Sequence, residues 1–148
     1  MKYKFLLPFL IFSLPFLSQT HIANLSLDKK TFSNTADKKV TPEDLAQQQL
    51  DAYNLRDIEA FLEPYAEDVE VYTFPNTLNY KGKETMRKRY GKMFKDVTNL
   101  HCELENRIVK GNVVIDKERV QFNDKIIEAL AIYHIENNKI KKVYFVRN

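Results

Sequence analysis

"AYNLRDIEAFLEPYAEDVEVYTFP", residues 52 to 75, changes its hydrophobic period part-way along. Ala52 and Tyr53 close a run that also holds Leu45, Ala46, Gln49 and Leu50 at helical spacing, ending near Arg56. "RDIEAFLEPY" then makes a second, short helix with Ile58, Phe61, Leu62 and Tyr65 on one side. Pro64 limits it, because proline has no N–H and its ring clashes with the preceding turn. From Asp68 the period drops to two. "DVEVYTF", 68 to 74, alternates and is rich in β-formers, which predicts a strand. Helix, helix, strand within so short a stretch implies an α+β fold in which helices lie against a sheet.

The pattern extends both ways. Upstream, "TPED" starts the first helix: Thr41 suits the N-cap, Pro42 the first position and Asp44 the first turn. Downstream, "PNTLNYKG" is a turn region with a short strand at 78–80, and "KETMRKRYGKMFKD" is a third helix. Its Met86, Tyr90, Met93 and Phe94 form an apolar stripe. From Leu100 the period is two to the end. Strands at 100–109, 113–122, 126–136 and 140–147 are separated by "KGN", "ND" and "NN", which are hairpin signals. The expectation is a curved, mostly antiparallel sheet wrapped around three helices.

The chain of 148 residues is 44% hydrophobic and 29% charged, ordinary for a globular domain. Its first 23 residues stand apart. A basic "MKYK" precedes the uncharged "FLLPFLIFSLPFLS", which is short for a membrane span and contains Pro8 and Pro15. This is the layout of a secretory signal peptide. Residues 24–40 are polar and aperiodic, the composition of a flexible leader, and 41–148 form the domain. The expected location is outside the cytoplasm, periplasmic or secreted, with no membrane association after signal cleavage. Lys2 and Lys4 carry two of the three surplus positive charges, so the mature part is near neutral and gives no reason to expect nucleic acid. Three glycines provide no phosphate-cradling loop. Cys102 is the single cysteine and reads as a buried structural thiol, the alternative being a reactive one.

The segments 52–75, "YKGKETMRKRYGKMF" (80–94) and "NKIKKVYFV" (138–146) resemble the nuclear transport factor 2-like superfamily, specifically its SnoaL-like and ketosteroid-isomerase-like branch. The resemblance spans roughly 42–147. It implies a cone, with a bent sheet around helices and a pocket at the open end, and dimerisation through the sheet. The isomerase residues do not carry over. Thr73 stands where that branch has its catalytic aspartate, Gln49 where it has its oxyanion tyrosine, and Leu130 or Ala131 where it has its second acid. Abstraction of a proton beside a carbonyl needs a base and enolate donors, so ketosteroid isomerisation is not expected.

Two groups of candidate residues remain. In "RIVKGNVVIDKERV", residues 107 to 120, Asp116 and Glu118 share one strand face. Unbroken alternation across the turn puts Arg107, Glu103 and His101 on that same face, with Arg107 against Asp116 and His101 near Glu118. This cluster is a site for acid/base chemistry or a polar ligand, a cross-strand ion-pair ladder, or a dimer interface. Leu100, Cys102, Leu104, Ile108, Val113 and Ile115 occupy the other face, which reads as the one against the helices. The ladder is therefore the favoured reading. A metal bound by His101, Glu103 and His134 lacks a compact motif, and none is assigned; nor is any cofactor. The second group follows the implied cone: Gln49 and Tyr53 on the first helix, joined by Thr73, Tyr133 and Tyr144, with Arg107 as a ligand contact. They suit a small hydrophobic or aromatic molecule. The basic third helix reads as a solvated outer face. The functional expectation is an exported enzyme of isomerase, cyclase or hydratase type, the alternative being a non-catalytic ligand-binding or dimerisation module.

Overall fold

The computed structural model describes residues 39–147. The predicted signal peptide and almost all of the leader lie outside them. Three helices and six strands follow in the order α1 (Pro42–Leu55), α2 (Ile58–Leu62), β1 (Tyr65–Thr73), β2 (Thr77–Lys81), α3 (Lys83–Asp96), β3 (Leu100–Lys110), β4 (Val113–Phe122), β5 (Lys125–Glu136) and β6 (Lys139–Arg147).

Local chemistry explains the boundaries. The Thr41 side chain accepts from the Asp44 N–H, and the Asp44 carboxylate accepts from the Thr41 N–H. That reciprocal box satisfies two donors that α1 would leave orphaned. Arg56 stops α1 in the left-handed region at φ 58. Asp57 caps α2 at once, accepting from the N–H groups of Glu59 and Ala60. Pro64 ends that helix earlier than its apolar stripe suggests. Tyr65 is therefore the first residue of β1, paired with Ile140, rather than the last of the helical stripe. Gly82, at φ 89, turns the chain from β2 into α3, a backbone position that strains any residue with a Cβ.

The six strands form one curved, open sheet in the order β2-β1-β6-β5-β4-β3. Only the β1–β6 pair is parallel. The turns are those the asparagines and glycine announce: Gly111 at φ 57, Asn123 at φ 55, and Asn137 and Asn138 at φ 50 and 57. The core lies between the inner sheet face and the helices. Leu45, Ala46, Phe61, Leu62, Met86 and Phe94 from the helices meet Val69, Val71, Val114, Ala131, Tyr133 and Val143 from the strands.

One irregularity decides which side chains reach that core. In β3, Leu104 opposes Glu118 and Asn106 opposes Lys117, so Glu105 is an extra residue without a partner. A single extra residue reverses which side chains face inward. Before the bulge, Leu100 and Cys102 point in; after it, Arg107 does. The expectation of unbroken alternation is corrected here. On β4 the inward face is the charged one, with Val114, Asp116 and Glu118 all buried. A ladder exists on the outer face, where Glu105 and the expected Glu103 pair with Lys117 and Arg119 rather than with the Asp116 and Glu118 face.

Candidate functional site

A cavity of about 510 Å³ opens between the inner sheet face and the helices, within the ~300–1,000 Å³ usual for small-molecule sites. Its depth is formed by buried Gln49, Leu50, Phe61, Tyr65, Val71, Cys102, Ala129 and Tyr133. The exposed members of its lining, Thr73, Asn79, Arg89 and Arg147, mark the mouth. Small residues make the room. Ala129 stands directly across from Glu118 and Ala131 across from Asp116, where longer side chains would fill the space.

Glu118 is the one carboxyl group in the lining and is only 6% exposed. Its Oε1 accepts from the Tyr133 hydroxyl at 3.0 Å. The Tyr133 oxygen in turn accepts from Gln49 Nε2 at 3.0 Å. Gln49 Nε2 also donates to the Ala46 carbonyl, and Gln49 Oε1 accepts from the Tyr65 hydroxyl at 3.2 Å. The Ala46 carbonyl needs a donor, which fixes the orientation of the amide. Burial pushes the Glu118 carboxyl up to about 7; the Tyr133 hydrogen bond opposes this, and Asp116 adds to it. The hydroxyls of Tyr65, Tyr90 and Tyr133 are held well above their ordinary range by burial first, so they remain neutral donors. Burial does the same for the Cys102 thiol, keeping it protonated and unreactive at neutral pH.

Asp116 has a different setting. It is fully buried but absent from the cavity lining. Arg107 clamps it bidentately, Nε to Oδ1 and Nη2 to Oδ2, both at 2.7 Å. The third arm of the guanidinium donates to Gln47 on α1 at 2.9 Å. The hydrogen bond to Asp116 raises the Arg107 pKa further. With every fork occupied, the pair ties β3 and β4 to α1.

The other sequence candidates separate accordingly. Gln49, Tyr53, Thr73 and Tyr133 line the cavity; Arg107 and Tyr144 do not. Tyr144 sits on the outer sheet face, stacked on Tyr72 with ring centroids 4.9 Å apart. His101 is exposed on the outer face opposite Gln121, so it does not approach Glu118. The bulge at Glu105 lies between His101 and the Gly111 turn from which alternation is counted, which is why the expected alternation misplaced it. His134 pairs with Val113 at the far end of β4, beside Asn112 and Glu136, so the two histidines do not meet. Sequence reasoning missed Tyr65, Tyr80, Tyr90, Arg89 and Arg147. Tyr90 was visible as a member of the apolar stripe, and Arg89 as the residue flanking it. Tyr65 was hidden by its assignment to the second helix.

The family comparison now bears on a defined geometry. The SnoaL-like domain family matches residues 46–143. No curated protein matches the chain in sequence. Among solved structures, an NTF2-like protein of unknown function from Cytophaga hutchinsonii superposes with a TM-score of 0.65 at 21% identity, covering 74% of this chain and 92% of that one. A candidate ketosteroid isomerase from Kribbella flavida gives 0.63 at 14% identity, covering 72% and 77%. An LEH-like epoxide hydrolase from M. tuberculosis gives 0.59 at 8%, covering 70% and 80%. At these identities the likeness is one of fold.

Proposed function

The chain belongs to the SnoaL-like domain family, and from that premise we propose that it is a small-molecule enzyme of isomerase, cyclase or hydratase type in which Glu118 moves the proton. One observation carries this reading. The only carboxyl group in a largely apolar, tyrosine-lined cavity is poised near pH 7, where it can both take and release a proton. Tyr133 holds Oε1, which leaves Oε2 as the atom facing a bound molecule. The protons of Tyr133 and Tyr65 are already given to Glu118 and Gln49, so the neutral Tyr53 and Tyr80 hydroxyls of the lining are the donors for charge that develops on a substrate oxygen. The body of the ligand is hydrophobic or aromatic, matched to Phe61, Val71, Met93, Phe122 and Phe145.

A test is proton exchange on a simple carbon acid. The full domain is incubated in D₂O with 2-tetralone, and deuterium incorporation is followed by NMR. Wild type is expected to accelerate exchange with a rate that rises through about pH 7, and Glu118→Gln to lose at least ~100-fold of that acceleration. Equal rates for the two proteins, or no acceleration by wild type, would remove the proposed role.

The non-catalytic alternative draws on one feature. Among the described residues every buried side-chain polar atom already has a partner, as in a site that only binds. Export is likewise part of the proposal. It is supported by the basic, then apolar, then polar order of residues 1–23, and N-terminal sequencing of the mature protein checks it.

A further inference from the structure

The mouth of the cavity is charged in a way that the proton-transfer reading leaves unused. One carboxyl group and two guanidinium groups line the cavity: Glu118 in its depth, and Arg89 and Arg147 among its exposed members. Arg89 comes from α3 and lies over the Tyr80 ring, 4.7 Å from its centroid. Arg147 comes from the end of β6 and lies over the Phe145 ring at 4.8 Å. Each guanidinium carbon lies over an aromatic ring that is itself part of the lining. A cation over a ring face is attracted by the ring quadrupole, which leaves its N–H groups available to an anion. Arg87, Arg107 and Arg119 are paired with carboxylates. Arg89 and Arg147 have no carboxylate partner among the described residues.

Charge counting narrows the ligand. Two arginines outnumber the one carboxyl group of the lining, so the cavity carries a positive surplus whether or not Glu118 is ionised, and it favours an anion. The planar, forked edge of a guanidinium matches a carboxylate. Thr73 and Asn79, which hydrogen-bond to each other at the mouth, add neutral polar contacts. We infer that the molecule taken into the cavity bears a carboxylate, gripped by Arg89 and Arg147 at the mouth while its apolar body extends toward Glu118. This rests on the cavity being a ligand site, and it names the substrate class: aromatic or alicyclic carboxylic acids. Binding of the acid also bears on Glu118. Arg147 lowers the Glu118 pKa, so a carboxylate that neutralises Arg147 favours the protonated form and prepares a proton donor.

The matched pair 1-naphthaleneacetate and 1-naphthaleneacetamide separates charge from shape. Calorimetric titration of the wild-type domain at low ionic strength is expected to show the acid binding about tenfold more tightly than the amide. In an Arg89→Gln/Arg147→Gln variant the preference should vanish while the amide binds as before. The Arg89→Lys/Arg147→Lys variant should keep part of it. Should the glutamine variant fold poorly, salt titration of wild type serves instead: rising salt should weaken the acid and leave the amide unchanged. If the amide binds and the acid binds no tighter, or the preference survives loss of both arginines, the carboxylate inference falls and the cavity reading stands. If neither compound binds, both fall.

Discussion

Asp116 and Glu118 stand two residues apart on one strand face, and their surroundings give them opposite work. Asp116 has both oxygens taken by Arg107 and no opening to the cavity. Removing its partner strands a buried charge, so Arg107→Ala should cost ~3–5 kcal/mol in denaturant unfolding, and Arg107→Met/Asp116→Leu should recover most of it. Glu118 has one hydrogen bond and faces the cavity. Its pKa, raised from 4.5 to about 7 in the fold, makes stability depend on pH in a definite direction. Below the unfolded value both states are protonated. As pH rises toward 7 the unfolded chain releases its proton and the fold retains it, so stability falls across that window by on the order of 3 kcal/mol. Asp68, Glu70 and Asp96 have lowered pKa values. Their contribution is present above the unfolded carboxylate range and is lost on acidification, below the Glu118 window. Glu118→Gln should therefore flatten the stability profile between pH 5 and 7, read from unfolding midpoints at a series of pH values. An unchanged slope would place the titration elsewhere.

At the scale of elements, β3 shows where sequence stops being legible. The helices, the strands and the hairpin turns follow from period, caps and turn residues, and the Arg107–Asp116 pairing follows from counting outward from Gly111. The count fails on the far side of Glu105, because a bulge leaves no period of its own in "HCELENRIV". Leu104 and Arg107 are three apart yet share a face, and only cross-strand register reveals it. With alternation assumed unbroken, the apolar set looked like the inner face and the charges of β4 looked outward. A cue was present all the same: the buried face of β4 needs small neighbours, and Ala129 and Ala131 alternate on β5. The cavity itself was legible only through resemblance, since depth depends on how Tyr65, Tyr90 and Gln49 meet across distant elements. Gly82 is the corresponding hinge between β2 and α3. Its open surroundings exclude a clash, the nearest atom to a built Cβ being the Glu67 carbonyl oxygen at 3.8 Å, so Gly82→Ala isolates the cost of its positive φ. About 1–3 kcal/mol of destabilisation is expected, since φ 89 with ψ 142 lies toward a region that essentially only glycine adopts, with Glu118 titrating as in wild type.

The whole molecule presents a second face that the cavity does not use. Register aligns Ile108, Ile115, Ile132, Tyr144 and Tyr72 in one row across the outer side of β3, β4, β5, β6 and β1. Ile108 is 60% exposed, and Leu130 and Ile126 lie exposed beside the row. An apolar row of this extent on a sheet face is what a partner surface covers. The charges at its β3–β4 end, Lys117 with Glu105 and Arg119 with Glu103, have the character of an interface rim. A second copy of the chain would cover the row through the same apolar patch on each partner, as a two-fold interface requires. We propose a homodimer joined sheet to sheet, in which the two cavities would face away from each other. Sedimentation of the wild-type domain should give the dimer mass at micromolar concentration, and Ile132→Glu should give the monomer with the fold intact by circular dichroism. Because the cavity lies on the opposite side of the sheet, that monomer should retain wild-type affinity for 1-naphthaleneacetate. A wild-type monomer, or a dimer that persists in Ile132→Glu, would assign the row to another partner and leave the cavity chemistry untouched.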